Sequence, residues 1–208
     1  FDRRMADERG RRGMLIAGIM LALVIAGALL SRLRYTQRAK KAIEHEKERS
    51  DELLHNILPV EVAAELKAKG RAEARSYDTA TVLFTDFKGF TQLSEQLSAA
   101  ELVEEIDACF KGLDAIVERH RVEKIKTIGD AYMAAAGLPD PQASSAADIV
   151  LAALDMRDHI AQRRTERLRA GKPAFEMRIG LHSGPVIAGI VGVKKFAYDI
   201  WGDTVNTA

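Results

Sequence analysis

Val122–Ala136 reads VEKIKTIGDAYMAAA. Val122 to Ile128 and Ala131 to Ala136 are two strand-like runs around Gly129-Asp130, and that spacing predicts a tight hairpin. On its N-terminal side, Ser98 to Arg121 is amphipathic, with Leu102, Ile106, Phe110, Leu113 and Val117 on one face. Ser98 and Glu101 fit a capping box at its start. Cys109 falls on the apolar face and reads as a core residue, not a nucleophile. Thr81 to Phe87, further upstream, is β-rich. Downstream, Ser144 to Arg169 reads as a second long helix and Phe175 to His182 as a strand. Val186 to Val191 and Phe196 to Trp201 read as another hairpin pair. The order βαββαβ, then further β, predicts an α+β, ferredoxin-like antiparallel sheet with two helices on one face.

That arrangement gives two carboxylates a common address. Asp86 ends the apolar run in TVLFTDFKGFT, and Asp130 sits at the hairpin tip. With the first strand expected beside the strand that follows the first helix, the two face each other at one end of the sheet. A carboxylate ending an apolar strand needs a partner, because burying it unpaired is costly. Two carboxylates and one backbone carbonyl suit Mg²⁺ or Mn²⁺, which take hard oxygen ligands and leave positions for phosphate. FKGFT, entering a helix, can present backbone N–H groups to a phosphate.

Composition narrows the classes. The 208 residues carry 31 basic and 30 acidic side chains, a net charge of +1, which argues against a broad nucleic-acid-binding surface. The single cysteine excludes an internal disulfide and a thioredoxin-like pair. His45, His55, His120, His159 and His182 are too scattered for a Cys/His metal cluster or a zinc finger.

The N-terminal third differs in character. Met14 to Leu30, MLIAGIMLALVIAGALL, is uncharged and free of proline. A transmembrane helix is predicted over 14–31, since about 17–25 apolar residues span a bilayer. Basic residues are balanced on its two flanks, so charge does not orient it. A charged helical linker, 32–76, follows. Ile43, Ser50, Leu53, Ile57 and Val60 form a weak heptad track that predicts a parallel coiled coil. Pro59 should end its first helix near Leu58, with a second short helix stopped at Gly70.

FTDFKGFT, KIKTIGDAYM, RIGLHSGPVIAGIVG and FAYDIWGDTVNTA stand in that order. Together they resemble the catalytic domain of class III nucleotidyl cyclases, the adenylate and guanylate cyclases, over 77–208. LLHNILPVEVAAEL resembles the helical signalling element that precedes this domain in many membrane-bound members. The resemblance implies that Asp86, Asp130 and the Phe87 carbonyl hold two Mg²⁺ or Mn²⁺ ions. Phe87, Lys88, Gly89, Phe90 and Thr91 match the phosphate loop, and Arg178 an arginine near the terminal phosphates. Lys126 and Asp199 match the base-reading positions. A lysine donates to adenine N1 and a carboxylate accepts from the 6-amino group, so this pair favours ATP. Asn206 matches the residue that orients the ribose.

The resemblance further implies a homodimer through catalytic domain and linker, with one subunit giving the aspartates and the other the base-reading pair and Asn206. The expected whole is an adenylate cyclase of the cell (inner) membrane, catalytic part in the cytoplasm where ATP is, with 1–13 ending an upstream region. A transition-state arginine is expected beyond Ala208, so the chain as given is expected to be inactive or badly impaired. The competing readings are a guanylate cyclase, or a catalytically inactive dimerisation module. A diguanylate cyclase lacks its signature motif here, and a ferredoxin-like binding domain without chemistry does not account for the four motifs. RRTERLR, Arg163 to Arg169, reads as a solvated helix face. Tyr198 and Trp201 are expected to pack the sheet.

Overall fold

The computed structural model describes residues 2–192 and 196–208, with side chains for Met14, Gly18, Met20, Gly27 and, outside 193–195, from Leu29 onward. The chain divides into two units, 1–54 and 55–208. The first is one helix, α1 (Asp2–His55). Among the described residues no helix is long and apolar enough to cross a membrane. Most side chains of the expected span at 14–31, and all of those in 1–13, lie outside the described residues. The heptad track is not carried by one continuous helix, because α1 stops at His55, earlier than the expected Leu58. Ile43 and Leu53 lie exposed on α1, Ile57 falls in the turn, and Val60 opens α2 (Val60–Lys69). Pro59, at φ −54°, stands just before α2, where its missing N–H costs nothing. Gly70 ends α2 at φ 71°, its N–H donating to the Leu66 carbonyl.

The second unit holds β1 (Arg75–Phe87), α3 (Phe90–Ser94), α4 (Ala99–Arg119), β2 (Glu123–Ile128) and β3 (Ala131–Ala136). It continues through α5 (Ala146–Arg169), β4 (Met177–Val191), β5 (Ala197–Trp201) and α6 (Asp203–Thr207). The five strands form one antiparallel sheet in the order β2-β3-β1-β4-β5. This is the ferredoxin-like arrangement, with β5 added outside β4. The expected neighbour of β1 needs correction. β1 lies between β3 and β4, and β2 is an edge strand. β3 is what lies beside β1, and the turn that feeds it carries Asp130 to the end of β1.

α4 and α5 cover one face. Leu83 and Phe87 of β1 pack with Cys109, Leu113, Ile116 and Val117 of α4, Tyr132, Ala134 and Ala136 of β3, and Ile149 to Ile160 of α5. Leu102, Ile106 and Phe110 complete the predicted face of α4 as half-buried residues. Both helices open with capping boxes: Ser98 with Glu101, and Ser145 with Asp148. Phe87 stacks on Phe175 with ring centroids 4.5 Å apart, and Phe90 on Phe175 at 5.7 Å. Cys109 is buried and its thiol is pushed up to about 11 by desolvation, so it is inert packing.

β4 is a single strand of 15 residues, not the two strands expected around Gly184-Pro185. Tyr77 pairs with Val186 and Ala80 with Gly184, so Asp78 and Thr79 bulge opposite Pro185. Proline cannot donate to a ladder, and a bulge is where a strand tolerates it.

The run at Arg163 to Arg169 also needs correction. Glu105, on the inward side of α4, is buried. Arg163 donates to it from Nε at 2.8 Å and Nη2 at 2.7 Å, and Arg167 from Nη1 at 2.6 Å. These two arginines therefore clamp α5 to α4, while the rest of the run stays on the outside.

Candidate active site

The end of β1 gathers the first group of candidates. Asp86 and Arg178 are direct cross-strand partners, and Arg178 Nη2 donates to the Asp86 carboxylate. Asp130 lies in the two-residue turn between β2 and β3, where Gly129 takes φ 61°. Only a residue at ease with positive φ suits the first place of such a loop. The Asp130 carboxyl is held above the usual carboxylate range, first by burial and then by the Asp86 carboxylate beside it. The backbone amide of Phe87 works in the opposite direction. The structure therefore brings Asp86, Asp130 and the Phe87 backbone together, as the motifs led us to expect.

A cation fits the donor set at this place. Two hard carboxylates converge, Asp130 is held toward neutrality by burial and then by Asp86, and Asp86 already takes a guanidinium as counter-ion. Among the described residues no cluster of three or more His, Cys, Asp and Glu side chains suits a metal, so the backbone carbonyl of Phe87 would have to supply the third ligand.

The loop after β1 is more selective than its motif. The Lys88 N–H is already donated to the Glu176 carbonyl at 2.7 Å, so it is not free for a phosphate. Gly89 takes φ 67° and opens α3, whose first-turn N–H groups at Phe90 and Thr91 have no partner within the helix. Lys88 Nζ stands 3.7 Å from Glu176 on the surface.

The second group lies at the sheet edges. Lys126 on β2 and Asp199 on β5 belong to the outermost strands, yet Lys126 Nζ reaches Asp199 Oδ2 at 2.5 Å. Only a sheet curled nearly closed allows that, and the sheet's right-handed twist makes the curl. Asp199 Oδ1 also accepts from the Ile200 N–H at 2.9 Å, which fixes the carboxylate's orientation. α6 begins two residues after β5, and Asn206 lies exposed on it. Tyr198 packs inside the sheet as expected, whereas Trp201 is 39% exposed. His182 is exposed on β4.

Comparison with known proteins gives this arrangement its class: the chain belongs to the adenylate and guanylate cyclase catalytic domain family, which matches residues 72–208. An adenylate cyclase of Mycobacterium tuberculosis is 42% identical over 177 residues, 85% of this chain and 39% of that protein. Human guanylyl cyclase C is 42% identical over 164 residues, 78% of this chain and 15% of that protein. The chain thus spans well under half the length of these curated relatives. Among solved structures, the catalytic core of a rhodopsin-guanylyl cyclase with converted specificity, in complex with ATPαS, is 39% identical with a TM-score of 0.59, covering 65% of this chain and 72% of that one. The adenylyl cyclase CyaB from P. aeruginosa is 29% identical with a TM-score of 0.60, covering 64% and 70%.

Proposed function

We propose that this chain is the catalytic part of an adenylate cyclase that converts ATP to 3′,5′-cyclic AMP and pyrophosphate. The observation that carries the choice of ATP is the Lys126–Asp199 pair. Its ammonium donates to adenine N1 and its carboxylate accepts from the 6-amino group. Guanine offers an N1–H donor and a 6-oxo acceptor there, the reverse pattern. The two groups pair with each other, so engaging an adenine edge exchanges one paired arrangement for another and leaves neither charge orphaned.

The ribose 3′-oxygen attacks the α-phosphorus, loses its proton, and the bond to pyrophosphate breaks. Asp86, Asp130 and the Phe87 carbonyl are the residues that would hold Mg²⁺ or Mn²⁺. Two such ions, when bound there, supply a lowered pKa for the 3′-hydroxyl and neutralise charge on the leaving group. The chain's own task is positioning. The first-turn N–H groups of Phe90 and Thr91 on α3, unpartnered within the helix, would receive the phosphates. Arg178 lies beside Asp86, within reach of the same anionic groups. Asn206 orients the ribose.

Both sets of groups lie on one chain, which favours a homodimer with two equivalent sites. A guanylyl cyclase domain of Blastocladiella emersonii, 34% identical, is described as a non-canonical dimer. We further propose that residues 14–31 cross the membrane, supported by their seventeen-residue uncharged core, Met14 to Leu30. The linker 32–76 then leads to a cytoplasmic catalytic domain over 77–208.

The test is turnover of ATP against GTP by the full-length protein with Mn²⁺ and with Mg²⁺, the product identified by mass. Cyclic AMP from ATP is expected, lost in Asp86→Ala and in Asp130→Ala. Lys126→Glu with Asp199→Cys should move preference toward GTP by roughly 5- to 150-fold, the equivalent of about 1–3 kcal/mol for one well-formed pair of base contacts. Preference of the unaltered protein for GTP would replace the adenylate reading by the guanylate one. No product from either nucleotide would leave a dimerisation module.

A further inference from the structure

α6 opens two residues after β5. Its place is set by how it sits on β4. Gly180 and Gly184, four residues apart on that strand, lie on one face of the sheet. Met177 and Ile179 pack toward the core under α4 and α5, so the two glycines face the other way. A Cβ at Gly184 would stand 2.5 Å from Thr204 Oγ1, and one at Gly180 would stand 2.1 Å from the Ala208 carbonyl oxygen. Neither space would survive a side chain. Thr204 fills the recess at Gly184, is 3% exposed, and donates its hydroxyl to the Pro185 carbonyl at 2.8 Å. The β4–β5 ladder begins only at Ile187 with Trp201, so Pro185 lies outside it and its carbonyl receives the threonine in place of a strand partner. The chain enters α6 through Gly202 at φ 143°, where a Cβ would approach the same carbonyl to 3.1 Å.

Two residues along an α-helix rotate a side chain by about 200°. With Thr204 turned into the sheet, Asn206 must point away from it, and it is exposed. We propose that Thr204 is a positioning residue for cyclisation: its buried bond to Pro185 fixes the rotation of α6 and so the direction in which Asn206 is presented to the ribose. The proposal rests on the cyclase reading. The glycines at 180 and 184 serve the same seat, by letting α6 lie directly on the strand.

The experiment uses the full-length protein with Thr204→Val, which keeps the shape and removes the hydroxyl, and Thr204→Ser, which keeps the hydroxyl. A displaced group of about 1 Å can cost roughly 100-fold in rate. Thr204→Val is therefore expected to lower kcat for cyclic-nucleotide formation by about 10- to 100-fold, with KM changed little because the base-reading pair is untouched. Thr204→Ser should restore most of the rate. In an Asn206→Ala background Thr204→Val should cost nothing further, since the group it positions is gone. A general structural defect would lower the rate in both backgrounds. Amide hydrogen exchange at 205–208 should quicken in Thr204→Val alone. If that variant does not fold, Gly184→Ala displaces the threonine from its recess and is expected to reproduce the loss, again absent in the Asn206→Ala background. Equal rates in Thr204→Val and the unaltered protein, or equal losses in both backgrounds, would overturn the proposal. If the unaltered protein forms no cyclic nucleotide, the cyclase reading fails, and the exchange comparison alone decides the seat: faster exchange in Thr204→Val supports it, unchanged exchange overturns it.

Discussion

Glu105→Ala is the substitution from which most can be learned about the catalytic unit's stability. The Glu105 carboxylate is 3% exposed and takes three hydrogen bonds from Arg163 and Arg167. Each charge-assisted bond contributes about 1.5–3 kcal/mol, but the three share one charge and do not add. Removing one partner of a buried ion pair costs about 3–5 kcal/mol, chiefly because the other charge is left uncompensated. Arg163 and Arg167 keep 29% and 17% of their side-chain surface exposed, so water can recover part of their solvation. That places the expected loss near the lower end, about 3 kcal/mol. For a unit of this size it corresponds to a fall in Tm of about 6–12 °C. Urea unfolding followed by fluorescence reads it cleanly, because the only tryptophan, Trp201, lies on β5 in this unit. Replacing the whole cluster, with Glu105→Leu, Arg163→Met and Arg167→Met together, should recover most of the loss, since no buried charge then remains. A loss below about 1 kcal/mol for Glu105→Ala, or a triple variant as unstable as the single one, would refute the reasoning.

Two further outcomes concern the same unit. Glu123 on β2 is pushed up to about 7, first by burial and then by the carboxylate of Glu61 on α2. The unfolded chain then releases this proton before the folded one does, so stability falls as pH rises from the unfolded value through 7. The fall is about 2–3 kcal/mol between pH 5 and 8, and Glu123→Gln should remove it, as urea midpoints at the two pH values will tell. Ser98→Ala removes the side-chain half of the α4 capping box and should cost about 1 kcal/mol in the same unfolding assay.

The elements that were legible from sequence carry local signals. Periodicity and a capping box placed α4, and Gly129-Asp130 placed the β2–β3 turn. The errors have a common cause, which is dependence on a distant partner. Phe175 to His182 and Val186 to Val191 read as separate strands, and only the bulge at Asp78 and Thr79 on β1 lets β4 run on through Pro185. Arg163 and Arg167 looked solvated because their acceptor lies 58 and 62 residues away in the chain. A trace of that clamp was nevertheless present. Glu105 stands three residues after Leu102 and four before Cys109, on the stripe that α4 buries, and a carboxylate there requires a cation.

The sequence by itself determined the kind of chemistry available: hard oxygen donors at Asp86 and Asp130, a hydrogen-bond donor at Lys126 and an acceptor at Asp199, and an amide at Asn206. Side-chain identity is enough for that, because donor and acceptor character does not depend on the fold. The tertiary structure decided which of these groups meet. β3, not β2, carries Asp130 to the end of β1, and the curl of the sheet closes Lys126 on Asp199 across its two edges. It also decided that the Lys88 amide is already committed to Glu176, and that Thr204 anchors α6 through Pro185. Hydrogen bonds and carboxylate pairs act over a few ångströms, whereas the residues that make them here stand as far apart along the chain as Asp86 and Arg178, 92 positions. Only the packed sheet converts the one separation into the other.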